Sequence, residues 1–328
     1  MEGKKVQCRI CNHFCIIGNG KKGICNVREN QDGRLVSLVL DRVIASSVDP
    51  IEKKPIFHLK PGSYSYSIAT VGCNFKCQFC QNSDIAQMPS DRKGMIQGKK
   101  IQPETIVEQA LANGCQSIAY TYTEPTVFFE LAYETAKLAR ENGLSNIFVT
   151  NGYMSTDLIK MITPFLDAVN VDLKAFDEKF YQTYCQARLG PVKENLVQLK
   201  QAGILVEVTT LLIPGLNDDP DDLTSMARFL VRELGPETPW HISRFHPSYK
   251  MMDRSPTRVS SLERVFDIGK KAGMHHVYTG NVPGLLSENT KCQVCDTTIV
   301  KRHGYTIENY LKENGTCPQC DAQIYGIY

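Results

Sequence analysis

The feature that most constrains the fold of this chain is a regular alternation, from residue 67 to residue 282, of short apolar runs and longer helical stretches. The runs are rich in Val, Ile and Phe without clean alternation of polar and apolar residues, which is typical of parallel strands buried on both faces. The helical stretches are long enough to serve as crossover connections. Six of these runs are predicted to be strands, and residues 275–282 are a candidate seventh strand. The six are 67–72, 117–123, 146–151, 168–174, 205–213 and 240–245.

Helix signals between the runs support this interpretation. Asp219-Pro220 predicts a helix start, and Ser260 with Glu263 fits a capping box. Glycine is also predicted to end a helix in a left-handed conformation at four positions, Gly114, Gly143, Gly203 and Gly273.

Six strands are fewer than the eight that close a barrel. We therefore predict an α/β fold, an open partial (β/α)6 barrel, with its site at the carboxyl ends of the strands.

The ends of the chain do not follow this rhythm. Asp32-Gly33 predicts a hairpin turn, so residues 1–66 are predicted as a small Cys-rich metal-binding β module with a proline-containing lead-in. Residues 67–284 are the predicted barrel, ending at Pro283-Gly284. Residues 285–328 are predicted as a four-cysteine module of the zinc-ribbon or rubredoxin type.

The chain has 13 cysteines, and the redox state of their compartment decides whether they form disulfides or hold metal and do redox work. The first residues lack the apolar core of a secretion signal, and the longest mainly apolar stretch, 35–40, is the length of a strand. We therefore expect a cytoplasmic protein without membrane contact, whose clustered cysteines hold metal or do redox work. The net charge of +2 gives no field strong enough to steer the chain onto nucleic acid.

The middle cysteine cluster has the spacing Cys-x3-Cys-x2-Cys at Cys73, Cys77 and Cys80, directly after the first predicted strand. Structural zinc takes a closed set of four ligands, and an iron-sulfur cube normally takes four thiolates. Three thiolates in one tight loop therefore suggest a cube with one open iron. The alternatives are a zinc site completed by a distant residue, or buried cysteines without metal.

With Phe79 as the aromatic residue, this Cys-x3-Cys-x-aromatic-Cys pattern resembles the signature of radical S-adenosylmethionine (SAM) enzymes. The resemblance implies that a [4Fe-4S] cluster binds SAM through its open iron and donates an electron to it. SAM then yields a 5′-deoxyadenosyl radical, which removes a hydrogen atom from the substrate. A reductant such as flavodoxin or ferredoxin is the implied partner.

The segment at the end of the second strand resembles the family segment that receives the SAM amino group. Tyr122 and Thr123 stand where the family usually has two glycines, and Glu124 follows them. The resemblance implies cofactor contact by Thr123 and by the Glu124 carboxylate. Alternatively, Glu124 caps the helix that Pro125 opens.

Polar residues at later strand ends complete the implied cofactor site. Asn151 resembles a cofactor-contacting position, or it belongs to a plain turn. Asp172 and Lys174 share one face of their strand, and they either lie beside the SAM carboxylate or form an isolated ion pair. His241, in a Pro-Trp-His element, either reaches the cofactor or is a structural histidine.

The resemblance runs nearly end to end and points to the radical SAM component of the AmmeMemoRadiSam system, which is related to pyruvate formate-lyase activating enzymes. It includes the N-terminal cysteine pattern, the charged segment 49–55 and the segment 240–247. The resemblance implies SAM cleavage and leaves the substrate open. Electron donor and oligomeric state are also open.

The outer cysteine groups are separate predicted metal sites. Cys292, Cys295, Cys317 and Cys320 form two Cys-x2-Cys pairs, for which zinc is predicted, with a single iron as the competitor. The looser N-terminal set holds either zinc or an auxiliary iron-sulfur cluster, or no metal, and His13 could replace one thiolate. Cys115 and Cys185 are predicted to be packing residues. The N-terminal set is Cys8, Cys11, Cys15 and Cys25.

Three functions follow from these observations. The leading hypothesis is a radical SAM enzyme that removes hydrogen from an unidentified protein or small molecule. A glycyl-radical enzyme activating enzyme, which inserts a loop of a partner protein into its site, is an alternative. The alternative of another class is a non-catalytic zinc-ribbon adaptor, which leaves the three-thiolate loop unexplained.

Overall fold

The N-terminal part of the chain forms short antiparallel ladders. The computed structural model describes residues 4–282 and 286–328. Asp32 and Gly33 join two antiparallel strands with φ values of 52° and 87°, so the predicted hairpin is confirmed. The strands of this part are β1 (Val6–Gln7), β2 (Ile16–Ile17), β3 (Arg28–Gln31), β4 (Arg34–Ser37), β5 (Arg42–Val43) and β6 (Ala45–Pro50).

One eight-stranded sheet forms the centre of the fold. Its parallel strands are β7 (Tyr64–Ala69), β9 (Ser117–Tyr120), β10 (Ser145–Thr150), β11 (Ala168–Asp172), β12 (Leu205–Leu212), β13 (Trp240–Arg244) and β14 (Val277–Gly280). The spatial order is β14-β13-β12-β11-β10-β9-β7-β6, and β6 pairs antiparallel with β7. Within the described residues β6 and β14 share no ladder, so the barrel is open. The short strand β8 (Lys99–Lys100) pairs with β5 outside this sheet.

The predicted fold class is confirmed. All six predicted strands are present, and the candidate at 275–282 forms β14 at one edge of the sheet. Several predicted runs extend past the observed strand ends because their last residues turn into loops. These loops carry the polar residues that the sequence singled out.

Helices connect the strands. The four glycines predicted to end helices all have positive φ values, and the Asp219 side chain caps the helix that Pro220 opens. The predicted capping box is wrong, because that helix starts earlier, with Arg258 as its N-cap, and Ser260 lies in its first turn. The helices are α1 (Ser83–Ala86), α2 (Met88–Asp91), α3 (Pro103–Ala112), α4 (Phe129–Glu141), α5 (Thr156–Ile162), α6 (Glu178–Phe180), α7 (Leu189–Gln201), α8 (Pro220–Phe229) and α9 (Val259–Lys271).

The lead-in to the barrel fills the inside of the sheet. Ile51, Ile56 and Leu59 are fully buried in a cluster with apolar residues of four strands. Two of those, Ala168 and Leu205, are the first residues of β11 and β12, so the cluster lies toward the amino ends of the strands. Burying each aliphatic side chain contributes about 1.5–3 kcal/mol. The opposite, carboxyl end of the barrel is left for a cavity.

The C-terminal part is a three-stranded antiparallel sheet that docks on the lead-in. Ile327 exchanges backbone hydrogen bonds with Lys60 and His58 at 2.7 and 2.8 Å. The boundary predicted at Pro283-Gly284 lies outside the described residues. The strands are β15 (Thr290–Lys291), β16 (Thr298–His303) and β17 (Thr306–Asn309). None of the described helices has the length and apolar character that crossing a membrane would take.

Candidate functional site

A cavity of about 590 Å³ opens at the carboxyl ends of the parallel strands. This volume lies in the range of small-molecule sites. All the residues predicted for the central cluster and its cofactor line this one cavity. They are Cys73, Cys77, Cys80, Phe79, Thr123, Glu124, Asn151, Asp172, Lys174 and His241.

The middle cysteine loop follows β7 and is held by backbone contacts. Lys76 donates its N–H to the Cys185 carbonyl at 2.9 Å. Gly72, just before the loop, has a φ of +101°, and a Cβ there would lie 2.5 Å from Val27 Cγ1. Glycine is therefore required where the strand turns into the loop.

The three thiols of this loop are suited to iron rather than to a single tetrahedral ion. Burial raises the pKa of Cys80 to about 12, with the neighbouring Cys77 charge adding to the shift. A bound cation favours the thiolates by supplying positive charge. Among the described residues, only the C-terminal cysteine group has ligand atoms all within 4.8 Å of one another. The wider spacing of the middle thiols fits a cube, since each thiolate then binds a different iron.

Cys185 contributes a contact that the sequence did not indicate. It is fully buried, and its thiol is the largest cause that raises the pKa of Cys77. It ends the π-helical turn Tyr181–Cys185, and nothing in its spacing could have connected it to the middle cluster.

Glu124 is both the cap of a helix and part of the cavity wall. Its Oε1 accepts hydrogen bonds from Thr126 N at 3.1 Å and Thr150 Oγ1 at 2.8 Å, and its Oε2 accepts from Asn151 N at 2.8 Å. Only 1% of the residue is exposed, and burial raises its pKa while these hydrogen bonds oppose the shift. Glu124 therefore caps the helix, as the alternative interpretation predicts, and this capping is compatible with a cofactor contact.

One of the two residues before Glu124 adopts a left-handed backbone without being glycine. Tyr122 has a φ of 60°, in the left-handed region. Thr123 donates its hydroxyl to the Thr70 carbonyl at 2.9 Å, which ties the end of β9 to the end of β7. Tyr122 therefore stands in a backbone conformation that glycine adopts more easily.

Asn151 lies between Glu124 and the cysteine loop. Its Nδ2 donates to Asn74 Oδ1 at 2.7 Å and lies 3.8 Å from Cys73 Sγ. Its Oδ1 accepts from Tyr153 N at 3.1 Å, which fixes the amide. Asn151 therefore makes a polar contact with the cysteine loop in addition to its place in the predicted turn.

Asp172 and Lys174 form the predicted ion pair, with Lys174 Nζ 2.9 Å from Asp172 Oδ2. Burial alone would lower the pKa of Lys174, but the Asp172 carboxylate and the nearby thiols raise it well above its usual value. The ammonium also lies 5.8 Å from the centre of the Phe79 ring. A fixed positive charge therefore faces the cavity beside the cysteine loop.

His241 is held from two sides. Its Nε2 lies 2.5 Å from Glu207 Oε2, and its ring packs edge-on against Phe57 and stacks on Tyr278. The Glu207 carboxylate also accepts the backbone N–H groups of Phe57 and His58. His241 thus has the structural contacts of a core histidine while it lines the cavity.

A charged cluster from the lead-in forms a further part of the wall. Lys53 Nζ and Lys54 Nζ lie 2.8 and 2.7 Å from the Asp49 carboxylate, to which Tyr122 also donates its hydroxyl. Although burial opposes it, these contacts hold the pKa of Asp49 well below its usual range. In the sequence, the signal for this cluster is the dense charge of residues 49–55, a segment that belongs to the family resemblance.

The C-terminal cysteines form a compact group. Cys292 Sγ and Cys320 Sγ lie 3.6 Å apart, as do Cys295 Sγ and Cys317 Sγ, and all four lie within 4.8 Å. Hydrogen bonds from Thr297 are the main cause that lowers the pKa of Cys295 to about 6. Four sulfur atoms at this spacing could hold one metal ion.

The N-terminal cysteines also come together, around a separate small pocket. Cys8, Cys11, Cys15 and Cys25 all line it. His13 lines it too, but its Nε2 is engaged with the Asn74 carbonyl at 2.8 Å.

The chain also matches a known protein family. A family model described as the radical SAM superfamily matches residues 67–230, which contain the cysteine loop and the ends of strands β7 to β12.

The chain is also similar to individual proteins. "Uncharacterized protein MJ0808" of Methanocaldococcus jannaschii is 43% identical over 326 residues, covering 99% of this chain and 96% of the relative. "Putative glycyl-radical enzyme activating enzyme MJ1632" of the same organism is 28% identical over 50% of this chain and 62% of the relative. The fold is similar to the crystal structure of a radical SAM methyltransferase from Sphaerobacter thermophilus, with a TM-score of 0.53, 16% identity and coverage of 68% of this chain and 67% of that one.

Proposed function

The chain belongs to the radical SAM superfamily, and we propose that Cys73, Cys77 and Cys80 hold the [4Fe-4S] cluster with which this enzyme cleaves SAM. The observation that carries the proposal is that these cysteines and all the predicted cofactor residues line one cavity. When bound, the cluster supplies the electron that converts SAM to methionine and a 5′-deoxyadenosyl radical, which removes hydrogen from the substrate. Because the superfamily consists of enzymes, a non-catalytic adaptor is not supported.

The surrounding side chains would bind and orient SAM. Glu124 Oε2 accepts one hydrogen bond within the protein, so it retains a lone pair for the SAM ammonium. Lys174, fixed by Asp172, provides a positive charge for the SAM carboxylate. Asn151, Thr123 and His241 line the remaining wall.

A partner protein as substrate is a second candidate. A groove of about 960 Å³ runs along the edge strand β6, and it shares Asn82 and Tyr122 with the cavity. An edge strand offers unpaired backbone groups to which an extended segment can add. This supports action on a polypeptide loop, an activity that the name of the putative glycyl-radical enzyme activating enzyme MJ1632 indicates for that protein.

We also propose zinc for the C-terminal cysteines. Zinc-sulfur bonds of about 2.3 Å in a tetrahedron place the sulfurs about 3.8 Å apart, close to the two measured separations of 3.6 Å. Metal analysis of the purified chain distinguishes zinc from a single iron.

The test of the central proposal is product analysis under anaerobic conditions. The chain, reconstituted with iron and sulfide and supplied with SAM and a strong reductant, should release 5′-deoxyadenosine and methionine. Cys77→Ala should abolish both products, whereas Cys115→Ala, which removes a buried cysteine outside the cavity, should not. A fully loaded wild-type cluster that yields no more 5′-deoxyadenosine than Cys77→Ala would contradict the proposal.

Isotope transfer separates the two substrate classes. The enzyme is incubated with SAM, reductant and either a deuterated candidate partner protein or a deuterated pool of small molecules. Deuterium found in 5′-deoxyadenosine only with the protein supports the activating-enzyme function. Deuterium found only with the small molecules contradicts it.

A further inference from the structure

The four N-terminal cysteines enclose a pocket that has no role in the proposed function. Three of them lie on the β1–β2 hairpin, where Cys8 N donates to the Cys15 carbonyl at 2.9 Å and Cys11 lies at the turn. Cys25 comes from the loop before β3. All four cysteines line the same pocket.

The spacing of these sulfur atoms differs from that of the C-terminal group. All four C-terminal sulfurs lie within 4.8 Å of one another, as a single tetrahedral ion requires. No three of the four N-terminal sulfurs meet that limit, although all four cysteines lie in the described part of the chain. An iron-sulfur cluster takes four thiolates and spreads them over different metal atoms. The wider arrangement therefore favours a cluster over zinc.

Two buried donors without partners line the same pocket. Arg28 and Asn74 are only 3% and 1% exposed, yet Arg28 Nε and Asn74 Nδ2 have no hydrogen-bond partner in the structure. The rest of Arg28 is satisfied, since its two terminal nitrogens lie 2.6 and 2.7 Å from the Glu130 carboxylate. Buried donors are rarely left unpaired, and the sulfurs of an anionic cluster are acceptors of the kind that such donors stabilise.

We propose that Cys8, Cys11, Cys15 and Cys25 hold a second iron-sulfur cluster, with Arg28 and Asn74 donating hydrogen bonds to its sulfurs. The second cluster lies against the loop of the first site, because Asn74 directly follows Cys73 in the chain. Asn74 also accepts the Asn151 amide through its side chain and contacts His13 through its carbonyl. One residue therefore connects the two groups of sulfur atoms.

This position suits a relay of single electrons, a role that rests on the proposed function of the first site. A one-electron donor protein of the flavodoxin or ferredoxin type reduces the second cluster. The second cluster passes that electron to the first and returns to its oxidised state. The existence of the second cluster does not depend on this role.

Metal counting on the full chain tests the second cluster. The chain is reconstituted anaerobically with ferrous iron and sulfide, and iron, sulfide and zinc are measured along with the electron paramagnetic resonance spectrum after reduction. If both clusters are cubes, wild type carries about eight cluster irons and the triple variant Cys73→Ala/Cys77→Ala/Cys80→Ala carries about four. Cys11→Ala/Cys25→Ala should also lose about four, whereas Cys115→Ala, the matched control, should lose none.

The outcomes separate this proposal from the proposed function. A cluster signal that survives in the triple variant and disappears in Cys11→Ala/Cys25→Ala supports the second cluster whatever the fate of the first. Zinc bound by the N-terminal cysteines in place of iron would overturn it. A wild-type protein that carries only about four cluster irons, all of which the triple variant loses, would also overturn the proposal.

Two reductants test the relay. In Cys11→Ala/Cys25→Ala with the first cluster loaded, 5′-deoxyadenosine formation should fall severalfold with a protein electron donor and persist with dithionite. Unchanged formation with the protein donor, or equal loss with both reductants, would contradict the relay.

Discussion

At the scale of single residues, the cavity wall is built from polar groups that already have protein partners. Glu124 accepts hydrogen bonds from Thr150 and Asn151 at the end of β10, and it caps the turn Pro125–Phe128. Such contacts position a side chain by removing its rotational freedom before a ligand arrives. A role in the structure and a role in binding are therefore compatible for this carboxylate.

We expect Glu124→Gln to weaken SAM binding by about 10- to 150-fold, because a charge-assisted contact contributes about 1.5–3 kcal/mol. The amide keeps the shape of the carboxylate but loses the charge that attracts the ammonium. Equilibrium dialysis of anaerobically reconstituted protein with labelled SAM measures the change.

Thr126→Val is the matched control for this prediction. It removes the hydroxyl that donates to Glu124 but keeps the backbone N–H and the charge. It should lower the thermal stability slightly and leave SAM affinity unchanged. An affinity loss in Thr126→Val as large as that in Glu124→Gln would indicate that Glu124 acts only through local structure.

At the scale of elements, close packing fixes how the last helix lies on the sheet. Gly269 is buried in α9, where a Cβ would lie 2.8 Å from Val277 Cγ2 and 3.2 Å from Trp240 Cε3. The absence of a side chain lets α9 approach β13 and β14 closely. Gly190 in α7 differs, since nothing lies within 4 Å of the equivalent position.

The two glycines should respond differently to alanine. Gly269→Ala should lower the free energy of unfolding by about 1–3 kcal/mol, because overpacking exceeds the gain in helix propensity. Gly190→Ala should lower it less, because the added Cβ meets no residue beyond its chain neighbours and is opposed only by the ring of the following Pro191. Urea unfolding of both variants measures the changes. A stabilised Gly269→Ala would show that α9 can shift on the sheet.

At the scale of the whole molecule, the C-terminal module docks on the lead-in. Arg302, buried in the C-terminal sheet, donates to the Phe57 carbonyl at 2.9 Å and its guanidinium carbon lies 4.0 Å from the centre of the Phe57 ring. Phe57 in turn contacts His241 in the cavity wall. The C-terminal module is thus connected to the cavity by packing, although its cysteines are a separate group.

We expect Cys317→Ser to destabilise the C-terminal module and leave the central cluster formed. A module of this size cannot bury enough apolar surface to fold without its metal, whereas the barrel has its own core. Limited proteolysis with iron and zinc analysis checks this. Loss of the central cluster together with the C-terminal module, in protein that stays in solution, would count against the predicted domain division.

The sequence predicted local features well because each depends on a short segment. The strands, the glycine helix ends and the cysteine spacings follow from backbone preferences and from residues a few positions apart. It failed at the start of α9, where Ser260 matched a capping pattern but the helix begins at Val259. It also gave no sign that Cys185 lies beside the cysteine loop, where its carbonyl accepts the Lys76 N–H, because the distance between the two segments in the sequence carries no signal.

By itself, the sequence therefore determined the class of fold, the three cysteine groups and the candidate residues at the strand ends. Only the tertiary structure decided that those strand ends surround one cavity. It also decided that the lead-in fills the barrel toward the amino ends of the strands. The tertiary structure likewise decided the distances between sulfur atoms, which are short in the C-terminal cysteine group and longer in the N-terminal and middle groups. Distances between segments far apart in the chain depend on how all the elements pack together, and no local pattern encodes them.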